Sequence, residues 1–117
     1  MDLNAANSVT LNAAGAGTVE LGPSNTGGPP YWVIDTVLLT TNRPGLGPVP
    51  RAMVYLDVVA PSNLQGITYD ASFGTAAANS LAVGRGQKLI AVFSGGQLGD
   101  IASLTVVGKR GTTPNDI

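Results

Sequence analysis

Residues 91–100 read AVFSGGQLGD, an apolar run that stops abruptly at glycines. A strand ending in glycines is how a phosphate-binding loop begins, because backbone N–H groups and a helix N-terminus then hold the anion. The full pattern is G-x-x-x-x-G-K-[ST] followed by a helix. Here Gly95, Gly96 and Gly99 lead into IASLTVVGK, which alternates as a strand does and has no lysine at the required place. The glycines are therefore expected to supply positive φ angles, with residues 95–100 joining two strands as a hairpin loop. GRGQK at 84–88 reads as another turn, with Arg85 exposed and free for a partner.

Acid chemistry finds no better footing. The carboxylates to consider are Glu20, Asp35, Asp57, Asp70 and Asp100. A glycosidase holds two carboxylates across a cleft, and no spacing pairs these. Asp57, Asp70 and Asp100 with Asn63 could offer oxygens to calcium, yet none lies in a D-x-[DN]-x-[DN]-G loop. Asp70 and Asp100 adjoin turns, where Asp serves its own backbone. The chain has no histidine and no cysteine, which removes the commonest general base at neutral pH and all thiolate chemistry. No enzyme activity, cofactor or metal is expected. Sugar-binding sandwiches use exposed aromatic rings as platforms. Trp32 lies mid-pattern with Ile34 and Leu38 and reads as core, so Tyr69, with Asp70 beside it, is the candidate glycan contact.

The totals narrow the partners. A chain of 117 residues suits one domain with a hydrophobic core of its own. Six basic and seven acidic residues, net charge −1, make no basic patch, so nucleic acid is not an expected partner. No apolar run approaches the ~20 residues that span a bilayer, and MDLNAANSVT carries no signal-peptide pattern, so no membrane role is expected. Charged residues make up 11 % against roughly 25 % in soluble proteins generally. Such a surface is either rich in uncharged polar groups or covered by neighbours in an assembly.

The elements that must position these residues are strands. Sixteen glycines and eight prolines punctuate short runs rich in Val, Ile, Leu and Thr, the pattern of a sandwich or barrel. Strands are expected at 8–11, 17–21, 31–41, 51–60, 67–69, 81–83, 88–94 and 101–109. The first two flank NAAGAG as a hairpin. Residues 61–80 read as irregular, with room for one helical turn at TAAAN. No helix of substantial length shows the 3.6-residue period. The expected fold is all-β, an antiparallel β-sandwich of jelly-roll-like form with about eight strands. Residues 1–7 read as an N-terminal arm, 8–110 as the single domain and 111–117 as a polar tail.

Side chains alternate across a strand. Over 31–41, strict alternation puts Trp32, Ile34 and Leu38 on one face and Tyr31, Val33, Val37 and Leu39 on the other. Over 51–60 it puts Ala52, Val54, Leu56 and Val58 opposite Met53, Tyr55 and Val59. One face of an antiparallel sandwich is ordinarily polar, and here both are apolar. Either loops or another subunit must cover the outer one. Val33, Val37, Leu39, Met53 and Tyr55 are the candidate subunit-interface residues. Ile117 joins them, because the tail has little else apolar by which a neighbour could hold it.

The order of pieces carries a resemblance. AAGAGTVELGPSNTGGPPYWVIDTVLLTT, then AMVYLD, GITYDASF and GQKLIAVFSGGQLGDIASLTVVGKR, resemble small proteins encoded among the virion genes of tailed phages and prophages of actinobacteria. The shared pattern is a Gly-x-Gly hairpin, Leu-Gly-Pro, an aromatic pair opening a long strand, a Val-Tyr strand, and a last unit of Gly-Gln, strand and Gly-Gly-x-x-Gly-Asp. It spans about residues 13–110 and brings no catalytic residue. It implies a structural protein of the virion, made in the host cytoplasm and placed on the capsid surface or in the tail; small size favours packing on the capsid as a decoration or minor capsid protein. The alternatives are a tail, collar or baseplate component, or a carbohydrate-binding module for host attachment. The implied partners are its own copies, as a homo-oligomer such as a trimer, and the major capsid or tail proteins.

Overall fold

Val, Ile, Leu and Thr favour the pleated, half-buried surface of a sheet, and the runs they dominate here are strands. The computed structural model describes residues 2–23, 29–42, 51–68 and 73–112, and within these the side chains outside 66–81. Among them are β1 (Asp2–Thr10), β2 (Gly17–Leu21), β3 (Tyr31–Thr41) and β4 (Arg51–Leu56). After a 3₁₀ turn at Pro61–Asn63 come β5 (Leu64–Thr68), β6 (Phe73–Val83), β7 (Leu89–Ser94) and β8 (Ile101–Gly111).

The strands form two antiparallel four-stranded sheets, ordered β1-β8-β3-β6 and β2-β7-β4-β5. The pairs nest: β1 with β8, β2 with β7, β3 with β6, β4 with β5. First strand meets last and the pairing closes inward, which is the jelly roll, a double sheet wound from Greek keys. The expected all-β sandwich is thus the fold observed. Its core lies between the sheets, with Trp32, Ile34, Val37, Leu39, Leu104 and Val106 from one and Val19, Leu21, Val54, Leu89, Ala91 and Phe93 from the other.

Several local expectations change. The segments 11–16 and 95–100 are not hairpin loops, because each links strands of different sheets. They are arches over one end of the sandwich, and they bond to each other: Gly96 N–H donates to the Gly15 carbonyl at 3.0 Å, Leu11 N–H to Asp100 at 2.8 Å and Gly99 N–H to Leu11 at 3.1 Å. Strand β1 begins at Asp2, so residues assigned to an arm are paired along β8 from Asp2 opposite Lys109 to Thr10 opposite Ile101. TAAAN is not a helical turn but part of β6, whose long partner β3 overrides the weak β propensity of alanine. The strand expected to reach Ala60 stops at Leu56, where Asp57 turns to φ 69°, a conformation Asp tolerates better than most residues.

The largest change is a β-bulge in β3. Its register against both neighbours shifts between Ile34 and Thr36. Asp35 and Thr36 are both exposed, after which Val37 and Leu39 are buried like Trp32 and Ile34. One extra residue reverses the phase of alternation. Val37 and Leu39 therefore belong to the core rather than the outer face, and Leu38 faces outward with Val33. The bulge brings β8 very close. A Cβ on Gly108 would collide with the Val33 carbonyl oxygen and lie 3.0 Å from the Ile34 Cα. Gly108→Ala is expected to destabilise the fold by about 1–3 kcal/mol through this overpacking, read as a lower urea midpoint. An unchanged midpoint would contradict the close approach.

Candidate interaction surface

The outer side of the first sheet follows from its register. Strand β1 presents Asn4, Ala6, Ser8 and Thr10, and β8 presents Val107, Thr105, Ser103 and Ile101 directly opposite them. Strand β3 adds Thr36, Leu38 and Thr40 beside β8. These rows are small, uncharged and in unbroken register, and Ile101 and Val107 are each 43 % exposed. Charge stands at the margin. Lys109 Nζ contacts Asp2 Oδ1 at 2.7 Å, and Asp35 stands exposed in the bulge. Val33 lies on this side, half-buried, opposite Lys109.

The second sheet turns Met53 and Tyr55 of β4 outward, opposite Val92 and Ile90 of β7. Tyr55 and Ile90 are only 9 % and 5 % exposed although they lie outside the core cluster. The Tyr55 hydroxyl reaches the Met53 sulfur at 3.7 Å. Glu20 and Lys88 complete this side through a two-pronged ion pair at 2.8 and 3.0 Å. Half-exposed as it is, such a pair contributes at most about 1 kcal/mol. Of the residues expected to make subunit contacts, Val33, Met53 and Tyr55 thus lie on outer faces and Val37 and Leu39 do not. Ile117, Tyr69 and Asp70 fall outside the described residues.

The two sheets are stitched along one side by Asn7, whose Nδ2 donates to the Glu20 carbonyl at 2.9 Å while its Oδ1 accepts from Ser8 N–H at 2.9 Å. Sequence reasoning passed over Asn7, and no pattern marked it. The bond occupies an N–H on β1, an edge strand, where free backbone groups would template pairing with another chain.

The glycines of the opening question act as turn residues. Gly95 and Gly99 take φ of 79° and 86°, whereas Gly96 does not take a positive φ. Asp100 is buried beneath them, and its Oδ2 accepts from Gln97 N–H at 3.3 Å. This loop runs into a strand and offers no helix N-terminus to an anion. Among the described residues no three acidic side chains gather to hold a metal ion, and no helix is long and apolar enough to cross a membrane.

At the opposite end lies a cavity of about 250 Å³. Strand β3 lines it with Tyr31, Trp32 and Val33, β6 with Ala82 and Val83, and the turn that follows with Gly84 and Gln87. Trp32, 1 % exposed, carries a buried Nε1–H without an acceptor, and so does the Nε of Arg110, directly opposite on β8. A buried donor left unmatched costs about 1–3 kcal/mol.

The Lys109 contact holds the Asp2 carboxyl below its usual range, first through the hydrogen bond and then through the lysine charge. A lowered folded-state pKa means that the pair's stabilisation is present at neutral pH and lost as pH falls through that lowered value. An NMR titration is expected to place the Asp2 midpoint below that of an ordinary aspartate, and Lys109→Met to raise it. A midpoint indifferent to that substitution would contradict the contact. No protein-family model matches the chain, and no curated protein matches it either.

Proposed function

We propose that this chain is a non-enzymatic structural subunit of a phage virion, packing on the capsid as a decoration protein through the outer face of its β1-β8-β3-β6 sheet. The observation that carries the reading is that face. Free soluble domains intersperse both signs of charge over their surface, while contact surfaces are depleted of charge at their centre and keep polar groups at the rim. Here Ile101, Val107 and Leu38 stand among Thr, Ser, Ala and Asn, with Asp2, Lys109 and Asp35 at the margin.

Three further points support it. The resemblance to virion-gene products of actinobacterial phages covers most of the chain. By analogy of fold, jelly rolls serve as viral capsid domains, although fold alone assigns no function. The sequence also lacks His and Cys and is only 11 % charged, which suits a passive part packed among neighbours. Jelly rolls also serve as lectins, but the described aromatic side chains are buried or half-buried: Trp32, Phe93, Tyr31 and Tyr55. None of them is a ring standing clear for a sugar to stack on.

The test is copy number in purified particles, by quantitative mass spectrometry against the major capsid protein. Hundreds of copies per particle are expected. A few to a few dozen would overturn decoration in favour of a tail, collar or baseplate position. Absence from the particle would overturn the virion reading altogether.

A further inference from the structure

We propose that two copies of this chain pair edge to edge through β1, antiparallel about a two-fold axis at Asn4. The inference stands apart from any place on the virion. Strand β1 ends its sheet, with β8 on one side. Just past β1, Leu11 N–H donates toward β8, to the Asp100 carbonyl, whereas Ser8 N–H bonds the Asn7 side chain. Backbone groups alternate sides along an antiparallel strand, so those of Asp2, Asn4, Ala6 and Ser8 point away from β8. Asn7 closes this edge at Ser8 and at the Glu20 carbonyl of β2. Among the described residues nothing bonds the outward backbone groups of Asp2, Asn4 and Ala6. Proteins ordinarily blunt a bare edge with lysine, proline or a bulge. DLNAA at 2–6 has neither Lys nor Pro, and its pairing with β8 is regular.

The occupant follows from the stretch being complementary to itself. With Asn4 opposite the partner's Asn4, Asp2 lies opposite the partner's Ala6, and each such pair exchanges both backbone hydrogen bonds. The side chains brought together on the outer face are Asn4, Ala6 and Asp2, all exposed. The two Asn4 amides can donate and accept across the axis. The two Asp2 carboxylates sit at opposite ends of the ladder, about 14 Å apart. That exceeds the ~8 Å screening length of physiological salt, and each carboxylate already has its Lys109 at 2.7 Å. Moving the axis to Ala6 would draw Ser8 into the ladder, where its N–H is taken by Asn7. The same residues in reverse are all this edge requires, which is the isologous contact of a two-fold dimer. It would join the two uncharged outer faces into one sheet of doubled width.

Sedimentation equilibrium of the free chain is expected to give a reversible dimer over about 10 µM to 1 mM, which brackets micromolar to millimolar constants. Asn4→Pro removes the N–H at the axis. Proline is tolerated on an edge whose N–H faces outward, so the monomer is retained and dimerisation is expected to weaken at least tenfold. The chain has no cysteine, so Asn4→Cys puts a single thiol in each copy, at the axis. Opposed Cα atoms in a hydrogen-bonded pair lie about 5.5 Å apart, within the ~4.4–6.8 Å of a disulfide. With oxidised glutathione as electron acceptor, this variant is expected to form a covalent dimer. Thr10→Cys, exposed on the same strand but beyond Asn7, is not. Those two variants decide the matter should Asn4→Pro fail to fold. A monomer throughout the concentration range would overturn the proposal, and so would trimers or open-ended assemblies. A dimer indifferent to Asn4→Pro, or cross-linking of Thr10→Cys as readily as of Asn4→Cys, would overturn it too.

Discussion

The fold depends on where β8 lies. Its residues Ile101–Gly111 are bonded on one side to β1 and on the other to β3, over nearly their whole length. The last strand is thereby inserted between the first and the third, and the chain must wrap around itself before the sheet exists. The arches at 11–16 and 95–100 follow from this, since each must carry the chain from one sheet to the other and they arrive side by side. Most stabilising contacts join residues far apart in sequence, so loop-closure entropy must be overcome before pairing rewards it. Such a fold is expected to form slowly and, once closed, to have few loose ends.

The bulge at Asp35 decides what the first sheet shows to its surroundings. It turns Val37 and Leu39 inward and gives the core a continuous apolar row from Trp32 to Leu39. What remains outside is a run of hydroxyls, amides, methyls and two half-exposed aliphatics. Such a face is too weakly apolar to collapse on anything available and too weakly charged to keep neighbours away. The proposed role on the capsid would draw on that balance.

The architecture was legible where side-chain chemistry alone sets it. Val, Ile and Leu runs bounded by Gly and Pro marked six strands to within a few residues and parts of β1 and β6, and Trp32 was placed correctly in the core. Three things were hidden for physical reasons. A glycine turn reads the same whether it joins paired strands or arches between sheets, so Gly95 and Gly99 gave the turn and not its destination. A bulge leaves only a weak mark: Asp35 and Thr36 look like one polar interruption, yet the extra residue exchanges the faces of everything beyond it. FGTAAANSLAV has little intrinsic β preference and is a strand because β3 requires a partner. The candidate surface was legible in part. Val33, Met53 and Tyr55 emerged on outer faces, but the β1 and β8 rows could not be joined to them before the pairing was known.

On the proposed reading, the low charge and the uncharged sheet face belong to a unit whose work is to fit against others. Hydroxyl-radical footprinting of Ile101 and Val107, in the free chain and in the intact particle, tests this most directly. The account predicts that both side chains react readily in the free chain and are protected together in the particle. Equal reactivity in the two states would leave this face bare in the assembly and contradict the account.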